Sequence, residues 1–158
     1  MHPNQSVIEA FYNAFARRDA AGMAACYHPE IEFSDPVFPR LKGQEANAMW
    51  EMLCQRGKDL QIEYQVLRAD DSGGAAHWDA RYTFSGTGRK VHNSIEAEFE
   101  FLYGRIFRHR DRFDLWRWTR MALGAKGMLL GWLPAVQNAV RAQAARGLAA
   151  FSAGKGRA

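Results

Sequence analysis

The sequence predicts one α+β domain, with three helices near the N-terminus packed on a mixed, mostly antiparallel sheet and one further helix at the C-terminal end. Three observations carry this expectation. Apolar residues keep helical spacing up to Gln55. From Leu60 to Leu115 the period changes to two. Short turn sequences, DDSGG and SGTGRK, separate the alternating runs and join neighbours in antiparallel fashion. At 158 residues the chain fits a single domain that can bury most of its apolar surface.

Each element has its own signal. From Ser6 to Asp19, Val7, Ile8, Phe11 and Phe15 fall on one helix face, with Ser6 and Glu9 in capping-box spacing. A second helix, Ala20 to Tyr27, should stop before His28-Pro29, because the residue preceding proline is pushed out of helical geometry. IEFSD then reads as a strand and PVFPR as a rigid loop. Gly43 to Gln55 places Ala46, Met49, Trp50 and Leu53 on one side of a third helix. Leu60 to Val66, Ala76 to Phe84 and Val91 to Phe101 alternate as half-buried strands. In the last strand Phe107, His109, Asp111, Phe113 and Leu115 share the inward face, and Arg108, Arg110 and Arg112 the other. GAKGMLLGWLP reads as a glycine-rich loop. Pro134 to Phe151 carries Val136, Val140, Ala144 and Leu148 at helical spacing, and SAGKGRA is expected to fray. On this reading 1–124 form the domain proper, and 125–158 a loop and helix that pack on it or on a dimer mate.

Composition narrows the partners. The aromatic share of 13% suits either a densely aromatic core or one that surrounds an apolar cavity. Residues 1–104 hold 10 Lys or Arg against 15 Asp or Glu, whereas 105–158 hold 11 against 2. The basic residues between Arg105 and Arg120 recur mainly by twos, as on a solvated sheet face, and no stacking platform accompanies them, so no nucleic-acid partner is expected. Cys26 and Cys54 have no paired spacing and are expected as free thiols in a reducing compartment. The opening MHPNQSVIEAF lacks a secretory pattern and GMLLGWLPAV is too short to cross a bilayer, so the expectation is a cytoplasmic protein with no membrane role. The histidines show neither an i, i+4 pair nor zinc spacing; no metal and no cofactor are expected.

One pair stands out against this background. His109 and Asp111 lie on the apolar face of the last strand, and a carboxylate there costs several kcal/mol unless it finds a partner or changes its ionisation. The motif RHRDRFDLWRW, preceded by YGRI, resembles the last strand of limonene-epoxide hydrolases and polyketide cyclases of the nuclear transport factor 2-like superfamily. FSDPVFPRLKG resembles the loop after the first strand in these families and in ketosteroid isomerases. With ARRD at the end of the first helix, the resemblance covers roughly the first four-fifths of the chain. It implies a cone-shaped, cystatin-like fold with a curved sheet around a small-molecule pocket.

The resemblance also discriminates among reactions. Asp35 matches the ketosteroid isomerase base, but Phe11 and Ala97 fall at its two oxyanion donors, each worth about a hundredfold or more in rate. Against the epoxide hydrolases, Asp111 matches the last Asp of the Asp-Arg-Asp set, whereas Trp78 and Ala80 fall at the other two. The cyclase pattern survives best, because His109-Arg110-Asp111 has its H-x-D form. It implies a cofactor-independent cyclase, isomerase or lyase-like enzyme in which Asp111 moves a proton on an apolar carbonyl compound, tuned by His109 and assisted by Asp35. Trp50, Trp78, Tyr82, Asn93, Phe113 and Tyr12 would contact the small apolar ligand. The alternative is a non-catalytic ligand-binding or dimerisation module. A homodimer is expected, with Trp116, Trp118 and Met121 supplying apolar area.

Overall fold

The computed structural model describes residues 1–155. The order is α1 (Pro3–Ala16), α2 (Ala20–Ala25), β1 (Tyr27–Ser34), β2 (Leu41–Lys42), α3 (Gln44–Arg56), β3 (Gln61–Asp70), β4 (Gly73–Phe84), β5 (Arg89–Leu102), β6 (Arg105–Arg112), α4 (Leu115–Leu123), α5 (Ala125–Leu130) and α6 (Pro134–Lys155). The six strands form one mixed sheet in the order β2-β1-β6-β5-β4-β3, in which only β1 and β6 run parallel. This is the α+β class the periodicity predicts.

The first helix begins three residues earlier than its apolar pattern suggests. Pro3 sits in the first turn, where its missing N–H costs nothing, and His2 Nδ1 accepts from the Asn4 N–H at 3.1 Å. The expected Ser6–Glu9 capping box does not form; Glu9 instead accepts from Gln5 Nε2 at 3.2 Å. Asp19 caps α2 by accepting from the Gly22 N–H at 3.0 Å. That helix ends at Ala25, so Tyr27 belongs to β1 rather than to a helix end.

The core lies between one sheet face and α1–α3, with Ile8, Phe11, Phe15, Met49, Ile95 and Ile106 among its buried members. Two expectations for the last strand need correction. The β5–β6 pairing shifts register between Glu100 and Phe101, which puts Ile106 in the core and leaves Phe107 outside it, edge-on to the His28 ring at 5.4 Å. Leu115 reaches the interior as the first residue of α4 instead of the end of a strand.

The C-terminal part holds three helices where one was expected. Asp114 caps α4 by accepting from the Arg117 N–H at 3.1 Å, and α4 buries Leu115, Trp118, Thr119 and Ala122. The segment read as a loop contains α5, packed so closely on α4 that a Cβ on Gly127 would lie 2.0 Å from the Thr119 carbonyl oxygen. α6 packs on α3 of the same chain, buries Leu148, and is tied by Arg141 Nε donating to the Pro36 carbonyl at 2.8 Å. Of the segment expected to fray, residues 152–155 complete α6 and 156–158 lie outside the described residues.

Candidate active site

A cavity of about 520 Å³ lies between the inward sheet face, the loop after β1 and the C-terminal helices. Its wall includes Asp35, Trp50, Trp78, Tyr82, Asn93, Asp111 and Phe113, seven of the nine residues expected at the site. The other two lie behind the wall. His109 is fully buried beneath Asp111, and Tyr12 is fully buried with its ring stacked on Tyr64 at 5.1 Å. Tyr12 packs behind the wall, and its hydroxyl has no hydrogen-bond partner among the described residues. A wider, open groove beside α2 and α3 holds neither cavity aspartate.

Asp111 resolves the cost of burial by finding partners. His109 Nε2 lies 2.9 Å from Asp111 Oδ1, and Trp78 Nε1 donates to the same oxygen at 3.3 Å. Behind them, Trp50 Nε1 donates to Tyr27 Oη at 2.8 Å, and that hydroxyl lies 2.7 Å from His109 Nδ1. An indole N–H can only donate, so Tyr27 accepts from Trp50 and turns its own proton toward Nδ1. The ring proton then sits on Nε2, aimed at Asp111, an assignment that follows from the network. Five rings hold the imidazole in place, with Trp50 nearly parallel to it and Phe99 4.5 Å away. Among the described residues, both partners of the Asp111 carboxylate lie on Oδ1, which leaves Oδ2 for a ligand.

Asp35 is held differently. Its Oδ1 accepts from the Val37 and Phe38 N–H groups at 2.7 and 2.6 Å, an Asx turn favoured by the following Pro36. Burial pushes its carboxyl up to about 7; the Phe38 N–H opposes the rise and the nearby charge of Asp111 adds to it. A carboxyl poised near neutrality can both give and take a proton. Two further groups on the wall have unused hydrogen-bonding capacity. Tyr82 Oη accepts from Trp118 Nε1 at 2.8 Å and keeps its own proton to give. Among the described residues, the buried Asn93 amide has no side-chain hydrogen-bond partner.

Strand alternation separates this set from the epoxide-hydrolase pattern. β4 and β5 pair without a register shift, so Trp78 and Ala80 face the core. Asp79 faces the other side, accepting from Ser94 Oγ at 2.6 Å beside His77 and His92, and Arg81 is exposed there. Phe11 and Ala97, at the positions of the isomerase donors, are buried and apolar. Tyr27 escapes sequence reading because the helical pattern of Ala20 to Tyr27 claims it as a helix end, whereas it opens β1 and is buried on the same face as Ile31 and Phe33. Trp118, expected on a dimer surface, instead lines the cavity.

A mixed sheet with helices over one face and a carboxylate-bearing apolar cavity beneath them defines a protein of the nuclear transport factor 2-like superfamily. Within it, the chain belongs to the SnoaL-like domain family, whose model matches residues 8–109. Solved structures agree on the fold. A Xanthomonas campestris protein provisionally described as a polyketide cyclase shares 21% identity, with a TM-score of 0.66 over 75% of this chain and 96% of that one. A Burkholderia pseudomallei protein of the same superfamily, of unknown function, shares 18% identity, with a TM-score of 0.66 over 77% and 98%. An epoxide hydrolase of the limonene type from Mycobacterium tuberculosis shares 21% identity, with a TM-score of 0.61 over 84% and 96%. No curated protein sequence matches the chain.

Proposed function

We propose that the protein is a cofactor-independent acid–base enzyme of the cyclase or isomerase kind, acting on a small apolar carbonyl compound. The observation that carries this reading is the presence of two differently held carboxyl groups on the wall of one aromatic cavity. Asp111, anchored through one oxygen by His109 and Trp78, offers Oδ2 as the base that takes a proton from the carbon beside the carbonyl. Asp35, poised near 7, offers a proton to the developing oxyanion, and Tyr82 and Asn93 supply neutral donors to the same region. Environments that hold two carboxyl groups differently allow one to act as base and the other as acid. The apolar walls fold the substrate and exclude water.

The test needs no knowledge of the natural substrate. Aromatic ketones are screened by quenching of the cavity tryptophans, and exchange of the α-proton of a bound ketone with deuterium is followed by NMR. The wild type is expected to catalyse exchange, and Asp111→Asn to lose it by about a hundredfold or more while retaining binding. Binding without exchange in the wild type would favour the non-catalytic ligand-binding module instead.

A further inference from the structure

We propose that the α5 tip docks on an anionic lipid surface. Met128, Leu129 and Trp132 are 53, 68 and 58% exposed, and Leu130 and Trp116 stand beside them, also exposed. These are neighbours and not scattered side chains, since Trp132 Nε1 donates to the Leu129 carbonyl at 3.0 Å and Trp116 Nε1 to the Met128 carbonyl at 3.2 Å. A contiguous exposed apolar patch marks a surface that is covered in use.

Basic side chains stand beside the tip, and the nearest acid along the chain is Asp114, which is engaged in capping α4. Arg120 lies over the Trp116 ring at 4.6 Å, Lys126 is on α5 itself, and the Arg89 guanidinium packs against Gly124, the residue that opens α5. From Leu115 to Lys155 the chain has no Asp or Glu. An apolar tip rich in tryptophan and ringed by cations is the chemistry of an interfacial anchor on anionic lipid. A twofold contact between two copies through this tip would set Arg120 and Lys126 against their own mates, which favours a lipid surface over a second copy. Docking of this kind needs no spanning segment, and none of the described helices is long and apolar enough to cross a membrane. The helices on either side of the tip contribute Trp118, Leu123, Val140 and Ala144 to the cavity wall, so a docked tip brings that wall close to the source of an apolar ligand.

The experiment is co-sedimentation of the full chain with vesicles of phosphatidylcholine alone and of phosphatidylcholine with phosphatidylglycerol, at low and high salt. Binding to the anionic vesicles should exceed binding to the neutral ones by at least about tenfold and should weaken with salt. Leu129→Ser and Trp132→Ser should each weaken it by about tenfold, and Lys126→Gln by about fivefold on anionic vesicles only. These side chains are exposed, and circular dichroism melts check that the variants fold. Absence of binding to either vesicle, or binding indifferent to Leu129→Ser, would overturn the proposal. Conversion of a dimer to a monomer by Leu129→Ser in light scattering, with vesicle binding unchanged, would assign the tip to a second copy instead.

Discussion

At Asp35, burial of a carboxyl group that keeps only two backbone hydrogen bonds affects stability as well as chemistry. Its folded value of about 7 lies above the ordinary 3.8, so the folded state binds the extra proton between these limits. The contribution of Asp35 to stability is therefore most favourable below about pH 4, falls as pH rises toward 7, and levels off above it. Asp35→Asn keeps an acceptor for the Val37 and Phe38 N–H groups and removes the penalty. The variant should gain up to about 4 kcal/mol at pH 8 and nothing near pH 4, measured by urea unfolding across pH. Asp111 calls for the opposite comparison. Asp111→Asn still accepts from His109 and Trp78 and should stay within about 1 kcal/mol of wild type, whereas Asp111→Ala orphans two buried donors and should cost about 3 kcal/mol at pH 7 in the same assay. The sequence exposed both aspartates, one by its apolar strand company and one by its loop motif. It could not expose Tyr27, which reads as a helix end and whose role depends on a partner 82 positions away.

Among the elements, the strands were the most legible, because period-two alternation records burial directly. β4 and β5 follow it through Trp78, Ala80, Asn93 and Ile95. β6 follows it only beyond its bulge, so strict alternation places Phe107 inward where Ile106 in fact fills the core. The C-terminal helices were the least legible. Glycines at 124, 127 and 131 read locally as loop punctuation, yet Gly124 turns with φ 71° between α4 and α5, and Gly127 permits their backbones to touch. Gly127→Ala should therefore destabilise the protein by about 2 to 3 kcal/mol, seen as a lower thermal midpoint, because the group it meets is backbone that cannot turn away. A Gly88→Ala control meets no atom within 4 Å and should show only the smaller cost of its positive φ.

Across the whole molecule, the outer sheet face carries Glu96, Glu98 and Glu100 on β5 opposite Arg112, Arg110 and Arg108 on β6. One acidic and one basic row side by side can match the same rows on a twofold mate, and we propose that the homodimer expected from the sequence forms through this face. Light scattering should give twice the chain mass at low salt, and Arg110→Glu should lower the dimer fraction. In the interior, Asp35 and Asp111 face one cavity, and the charge of Asp111 adds to the rise at Asp35. Carboxyl carbon-13 NMR, with Asp35 assigned by its Asn variant, tests this most directly through titration of the wild type and of Asp111→Asn. The expectation is a wild-type Asp35 midpoint near 7 that falls when the charge at position 111 is removed, though not to 3.8, because burial is the larger cause. A wild-type midpoint near 4, unmoved by Asp111→Asn, would contradict it.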